Sequence, residues 1–355
     1  MVSAVQTRQF DVLNFGLWVL NFFCLIFRKS GRQVVIAAIV FSVLLAPAGA
    51  GNANNHNGDF EGNGRMNPTV YNESTGEWRT LTDRNNYNPE GFFFGGPGWT
   101  AIQSDYDGDG IADIAIYNRT TGKWAARLST NGYRIPIEIT LGGKGWTVVT
   151  GDYDGDNLTD PAVYREATGE WSLKLSRFDY RQTNFPFGGP GCVAVSGDYD
   201  GDGLSDPGIY RYSDGAWLIP LSSQNYITKS FYVDTMGDGP LVPSPEDYDG
   251  DGKTDPAMFA YSAPSYMNKY YVFAWHLLYS SRNYEQIEPV YQLGREDCKP
   301  SNADPAPGDY DGDRRADYGY SWPDTTMWRM WCSGNNYDSH DDSDWGGLGF
   351  RPVQR

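Results

Sequence analysis

The sequence predicts an all-β fold assembled from repeated four-stranded antiparallel sheets, and three observations carry that prediction. Composition is the first: 25 Tyr, 17 Phe and 12 Trp stand among 42 Gly and 21 Pro in 355 residues, so β-prone runs are cut at short intervals by turn formers. A fixed internal period is the second. DYDGDGIAD at Asp105 returns as DYDGDNLTD at Asp152, DYDGDGLSD at Asp198, DYDGDGKTD at Asp247 and DYDGDRRAD at Asp309, with a degraded version, DFEGNGRMN, at Asp59. The spacings of 46, 47, 46, 49 and 62 residues lie where a period signals a propeller or a solenoid. The third observation concerns the two ends of the array. WGGLGFRPVQ near the C-terminus matches FGGPGWTAIQ, the strand that precedes an acidic loop, yet no loop follows it, and the loop at Asp59 lacks such a strand before it.

Each repeat reads as four strands in order. GGPGWTAIQ, GGKGWTVVT and GGPGCVAVS precede the acidic loop, and DIAIYN, DPAVYR and DPGIYR follow it. TGKWAARLS, TGEWSLKLS and DGAWLIPLS then pass from a turn into Trp and alternating apolar residues, the pattern of a half-buried strand. An extended piece such as IPIEITLGG or RQTNFPFGG closes the unit. The expected architecture is therefore a six-bladed β-propeller over residues 58–355, with the C-terminal strand completing the first blade. Closure removes free sheet edges, whereas an open solenoid of six repeats would leave both half-blades unpaired. Trp124, Trp171 and Trp217 head alternating strands and are expected to fill the core between blades.

Residues 1–50 do not share the repeat. FDVLNFGLWVLNFFCLIF is followed by RKSGRQ and by VVIAAIVFSVLLAPAGA, a basic patch leading an apolar run into small residues. This reads as a secretory leader cleaved after Ala50, with 51–57 as a short linker; a retained anchor or membrane hairpin is the alternative. Neither apolar run reaches the roughly 20 residues that span a bilayer comfortably, and Cys24 lacks the small neighbour of a lipoprotein anchor. Without the leader the chain holds 24 Lys and Arg against 44 Asp and Glu, a net charge of −20, which disfavours nucleic acid as a partner. Of Cys192, Cys298 and Cys332, the first replaces a Trp of the repeat and reads as a small buried hydrophobe, while pairing of the other two stays open.

The aspartates are crowded in a way that needs a counter-charge. In the loop at Asp198, carboxylates fall at positions one, three, five and nine (Asp198, Asp200, Asp202, Asp206), and position seven, Leu204, offers its carbonyl. Hard oxygen ligands in that number suit Ca²⁺ better than the stricter octahedron of Mg²⁺. The same five places are Asp105, Asp107, Asp109, Ile111 and Asp113 in the second repeat, and Asp152, Asp154, Asp156, Leu158 and Asp160 in the third. The fifth has Asp247, Asp249, Asp251, Lys253 and Asp255, and the sixth Asp309, Asp311, Asp313, Arg315 and Asp317. An EF-hand would place a bidentate Glu at position twelve, where these loops have Ile116, Val163, Ile209, Met258 and Tyr320. Asn157 at position six is expected to be tolerated because Asn enters the left-handed region, and Arg314 there to weaken its loop. The first loop, with Asp59, Glu61, Asn63 and Asn67, has lost charge at two ligand positions.

These DxDGDGxxD loops, the DPAVYR strands after them and the GGxGW before them resemble the FG-GAP or VCBS-type repeats of integrin-like calcium-binding β-propellers over essentially all of 58–355. The resemblance implies Ca²⁺ held by the position one, three, five and nine aspartates between the first and second strands of a blade, with partners usually met on the opposite face.

On that opposite face, the turns YNRTTGKW, YREATGEW and YRYSDGAW carry Arg119, Arg165 and Arg211, candidate ligand-binding residues for sugar hydroxyls. The long repeat after Asp247 carries SAPSYMNKYYVFAWHLLYSSRNYEQ, with roughly fifteen extra residues rich in Tyr, read as a second candidate surface or as a hairpin shielding one edge. Catalysis has little support, since His56, His276 and His340 stand apart and no nucleophile recurs with a base. The expected function is a secreted or cell-surface, Ca²⁺-stabilised binding or adhesion module for surface glycans or extracellular proteins; a polysaccharide lyase or hydrolase on the same ring is the alternative.

Overall fold

A computed structural model describes residues 26–29 and 32–35 and, within 58–352, all but 83, 85–88, 135, 236–240, 263–271, 294–302, 322–326, 336–339 and 345–349. The chain divides into two compact units, Met1–Ala50 and Gly51–Arg355. In the first, Ile26–Lys29 pairs antiparallel with Arg32–Val35. The expected cleavage point at Ala50, the linker 51–57, His56 and Cys298 lie outside the described residues, as does any Cys298–Cys332 pairing. Among the described residues no helix is long and apolar enough to cross a membrane.

The second unit is the expected six-bladed β-propeller, each blade an antiparallel sheet in chain order. Blade II runs Trp99–Ser104, Asp113–Asn118, Lys123–Arg127, Pro136–Thr140. Blade III runs Thr147–Val148, Ala162–Arg165, Glu170–Leu175, Arg181–Pro186, and blade IV Cys192–Ala194, Ile209–Arg211, Ala216–Leu221, Ile227–Tyr232. Blade VI runs Asp304–Pro305, Tyr318–Ser321, Met327–Trp331, His340–Asp344. Blade I takes its first strand from the far end of the chain: Phe350–Pro352 pairs with Thr69–Asn72, followed by Glu77–Leu81 and Pro89–Phe93. The end-to-end match in the sequence is thus a strand pairing, and the ring is closed.

Blade V is the long repeat. Leu241–Pro243 and Ala257–Ser262 are ordinary, but the third strand, Val272–Tyr279, reaches 8 residues and pairs outward with two short strands, Glu285–Gln286 and Val290–Leu293. The third strand is thus longer than the 5- or 6-residue third strands of the other blades, while residues 263–271 and 294–302 of this repeat lie outside the described residues.

The core lies between blades. Tyr117 and Trp124 stand opposite each other on the second and third strands of blade II, their rings 5.3 Å apart, and pack with Val163 of blade III. Tyr71 and Trp78, Tyr164 and Trp171, and Tyr210 and Trp217 repeat the pair at 5.1–5.6 Å. Trp124, Trp171 and Trp217 are at most 2% exposed, as expected of core residues. Cys192 is buried in the same setting between blades III and IV, beside Tyr164 and Trp171. The tyrosines also tie each blade to the next, for the hydroxyls of Tyr71, Tyr117 and Tyr164 accept the N–H of Gly96, Gly143 and Gly189 at 2.7–3.0 Å.

Candidate metal loops and the opposite face

In blades II to VI the acidic loop joins the first and second strands, and a short 3-10 turn after the third strand folds back onto it. In blade IV, Asp198 Oδ1 accepts the Gly201 N–H (2.7 Å) and its Oδ2 the Gly203 N–H (2.9 Å). Asp206 Oδ2 accepts the Tyr199 N–H (3.0 Å) and its Oδ1 the Ser222 N–H (2.7 Å). The Ser222 and Ser223 hydroxyls donate to Asp202 Oδ2 (2.9 Å) and Asp200 Oδ2 (2.6 Å). Ser129 serves Asp113 and Asp109 in blade II, Ser176 serves Asp160 and Asp156 in blade III, Ser280 serves Asp255 and Asp251 in blade V, and Ser333 serves Asp317 and Asp313 in blade VI. Sequence reasoning missed these serines. Their signal was present in the Ser that ends ARLS, LKLS and IPLS, five residues beyond each Trp.

Position six must be left-handed to turn its N–H onto position one. Gly110, Gly203 and Gly252 do so at φ 79–89°, Asn157 at 64°, and Arg314 at 72°. Asn is accommodated as expected. Arg314 keeps its bond to Asp309 Oδ2 (2.8 Å) in a conformation costing roughly 1–2 kcal/mol for a residue with a Cβ.

The carboxylates converge. Oxygens of Asp105, Asp107 and Asp113 lie within 4.8 Å of one another, as do those of Asp152, Asp154 and Asp160, of Asp198, Asp200 and Asp206, and of Asp247, Asp249 and Asp251. In blade VI, Asp311 and Asp317 make such a group with Cys332 Sγ. Position seven contributes its N–H to the position-five carboxylate: Ile111, Leu158, Leu204, Lys253 and Arg315 do so at 2.9–3.0 Å. One oxygen stands out in three loops. Oδ1 of Asp107, Asp154 and Asp200 is buried and has no hydrogen-bond partner.

Burial also moves protons. It pushes Asp113, Asp160, Asp206 and Asp317 up to about 7 and Asp255 up to about 8. Asp198 and Asp247 rise to about 6 for the same reason, against the backbone N–H groups that favour their charged forms. A hard divalent cation fits this donor set: it would partner the orphaned oxygens and offset the mutual repulsion.

The first loop is closed differently. Arg84, at the place of Thr130 in blade II, bonds Glu61 Oε1 through Nε (3.2 Å) and the Phe60 carbonyl through Nη2 (3.1 Å). Asn67 donates to Glu61 Oε2 (3.1 Å) and the Leu81 carbonyl (3.0 Å). A guanidinium and an amide here meet the position-three carboxylate.

The loops also bond to one another. The position-eight N–H of each donates to the position-one carbonyl of the loop before it: Ala112 to Asp59, Thr159 to Asp105, Ser205 to Asp152, Thr254 to Asp198, Ala316 to Asp247 and Met66 to Asp309, at 2.6–2.8 Å. This circuit runs once around the ring.

On the opposite face the three arginines are not equivalent. Arg165 lies over the Trp146 ring, 4.3 Å from its centroid. Arg211 has no such aromatic, because Cys192 holds that place, and its guanidinium is taken by Asp214 (2.8 and 2.6 Å). Arg119 sits one position later in its turn and is exposed, since Asn118 occupies the place of Arg165 and Arg211. Around Arg211, Tyr212 and Tyr232 are 54% and 60% exposed, and Tyr232 shares a cross-strand row with Arg211 through Ala216. Glu166 of blade III borders them and accepts the Gly191 N–H (3.1 Å). His276 is wholly buried in blade V, edge-on to Tyr291, as part of that blade's packing.

Residues 105–163 match the FG-GAP-like repeat family. No curated protein sequence matches the chain. Among solved structures the chain is similar to apo AztD from Citrobacter koseri, at 10% identity, over 80% of this chain and 96% of that one, with a TM-score of 0.38. It is also similar to the dihydro-heme d1 dehydrogenase NirN in complex with DHE, at 11% identity, over 83% of this chain and 55% of that one, with a TM-score of 0.29. The matched repeat runs from the loop of blade II into the second strand of blade III, and its loop and serine turn recur through blade VI. The chain is a six-bladed β-propeller that carries an FG-GAP-like repeat.

Proposed function

We propose that this propeller is a secreted or cell-surface binding module, held rigid by Ca²⁺ in loops II to VI, that takes a surface glycan or extracellular protein on the face opposite those loops. The observation that carries the calcium reading is the unpartnered, buried Oδ1 of Asp107, Asp154 and Asp200, each inside a group of carboxylates. Leaving a buried carboxylate oxygen unpaired is costly, and a cation removes that cost. Asp105, Asp113 and their counterparts would hold the ion with the position-three and position-five carboxylates and the position-seven carbonyl. The ion supplies cross-linking charge, and the chain supplies the fixed geometry.

The binding side of the reading is supported by the exposed Tyr212 and Tyr232 beside the Arg211–Asp214 pair. Aromatic faces stack on the C–H face of a sugar, and a paired guanidinium and carboxylate offer donors and acceptors to its hydroxyls. The test is a thermal melt in Ca²⁺ and in chelator, followed by a glycan array probed with the wild type and Tyr232→Ala. Chelation is expected to lower the melting temperature sharply and Tyr232→Ala to remove array binding. Identical melts would sink the calcium reading, and array binding unaffected by Tyr232→Ala would move the ligand elsewhere.

A further inference from the structure

Each acidic loop is finished by the loop that follows it in the ring. Besides the backbone bond at position eight, the position-seven side chain lies over the position-four glycine of the preceding loop. A Cβ placed on Gly108 would come within 2.6 Å of Leu158, and one on Gly155 within 3.1 Å of Leu204. On Gly201 it would meet Lys253 Cε at 3.0 Å, on Gly250 Arg315 Cγ at 3.0 Å, and on Gly312 Arg65 Cγ at 2.9 Å. At position four, loops II and III are thus covered by aliphatic side chains and loops IV, V and VI by cationic ones; loop III also meets a cation of its own blade, Arg177, whose Nη1 donates to the Asp154 carbonyl at 2.9 Å, a contact separate from that cover. The division is contiguous around the ring.

The two kinds of cover act oppositely on a dication. An ammonium or guanidinium beside the loop repels an incoming Ca²⁺ and shields the carboxylates from one another when no ion is bound, so binding gains less. A leucine keeps water from the loop, lowers the local dielectric and strengthens the attraction between carboxylates and ion. Resting on the calcium reading above, we infer that the five loops form two classes of Ca²⁺ site, graded by the position-seven residue of the next loop. Loops II and III are tight; loops IV, V and VI are weaker by on the order of tenfold, the scale of a partly solvated charge acting on a dication. At calcium levels between the two affinities, one arc of the ring is held by metal and the other by lysine and arginine.

The experiment is a calcium titration of the full chain, stripped with EDTA, against a chromophoric chelator. The expected isotherm has a tight step of two ions and a weaker step of three. Lys253→Leu moves loop IV into the tight class, giving three and two; Leu158→Lys does the reverse for loop II, giving one and four. Lys253→Gln, which removes the charge but keeps a polar surface side chain, must shift the steps in the same direction as Lys253→Leu and stands in for it if that variant fails to fold. Five equivalent sites, or steps unmoved by both Lys253 variants, would overturn the grading and leave the calcium reading standing. No calcium uptake at all would overturn both.

Discussion

The backbone N–H of Met66 donates to the carbonyl of Asp309 at 2.7 Å, joining the first acidic loop to the last. The ring is therefore closed twice, by this loop-to-loop bond and by the pairing of Phe350–Pro352 with Thr69–Asn72. Both closures bring residues from the two ends of the array together, so each depends on the other being in register.

Removing residues 345–355 takes away the second closure and exposes Thr69–Asn72 as a free edge. About three backbone hydrogen bonds are lost, a cost of about 3 kcal/mol before any repacking. Calorimetry should show a lower melting temperature, and light scattering a larger aggregated fraction as the bare edge templates association. A truncated chain that melts like the full one would show that the strand contributes nothing to closure.

Proton and cation compete for the same carboxylates, so pH should act in opposite directions with and without metal. In chelator, the position-nine aspartates, pushed by burial up to about 7 or 8 from the ordinary carboxylate range, take up protons in the folded state before the unfolded one does. Their protonation supports the fold fully below about pH 4, and that support is lost as pH rises through about 7 to 8. Chelated protein is thus expected to melt higher at pH 5 than at pH 8. With saturating Ca²⁺ the order reverses, because the ion needs the deprotonated forms. Melts at the two pH values, each with and without calcium, check both signs; parallel trends in the two series would refute the competition.

The ring was legible because its signal is repeated. The spacing of Asp105, Asp152 and Asp198, the Trp at a fixed distance from each, and the GGxG text near Phe350 each encode a place in a blade. The serine turn was not legible in the same way. Ser129, Ser176 and Ser222 come 20 residues after the position-five carboxylate each one reaches, and a lone Ser at a strand end has many uses. The unequal arginines were also hidden. Arg119, Arg165 and Arg211 look like counterparts until strand register shows that Asn118 holds the place in blade II, and the loss of Trp cover over Arg211 follows only from where Cys192 packs. Arg84 escaped notice because its partner, Glu61, lies 23 residues away.

The serine turn offers a direct check on how the loops are built. In Ser222→Ala the N–H to Asp206 survives, but Asp202 Oδ2 loses the hydroxyl that orients it. A destabilisation of about 1 kcal/mol is expected, with weaker calcium uptake by one loop. Ser213→Ala, in the exposed turn on the opposite face, should stay within about 0.5 kcal/mol of wild type. Denaturant melts of both variants in calcium distinguish an orienting contact from an incidental one.

Arg314 is the one position-six residue that is neither Gly nor Asn, at φ 72°, in a region that costs a residue with a Cβ roughly 1–2 kcal/mol. Its N–H still reaches Asp309 Oδ2, so the loop keeps its shape against that strain. Arg314→Gly should retain the bond and release the strain, with part of the gain offset by the greater freedom of Gly in the unfolded chain. A net stabilisation of up to about 1 kcal/mol is expected, and Arg314→Asn should fall between Gly and wild type. Arg314→Ala separates backbone strain from charge: it keeps the Cβ in the left-handed region and should gain little in stability. If Ala stabilises as much as Gly, then the guanidinium, not the backbone, is what burdens this loop.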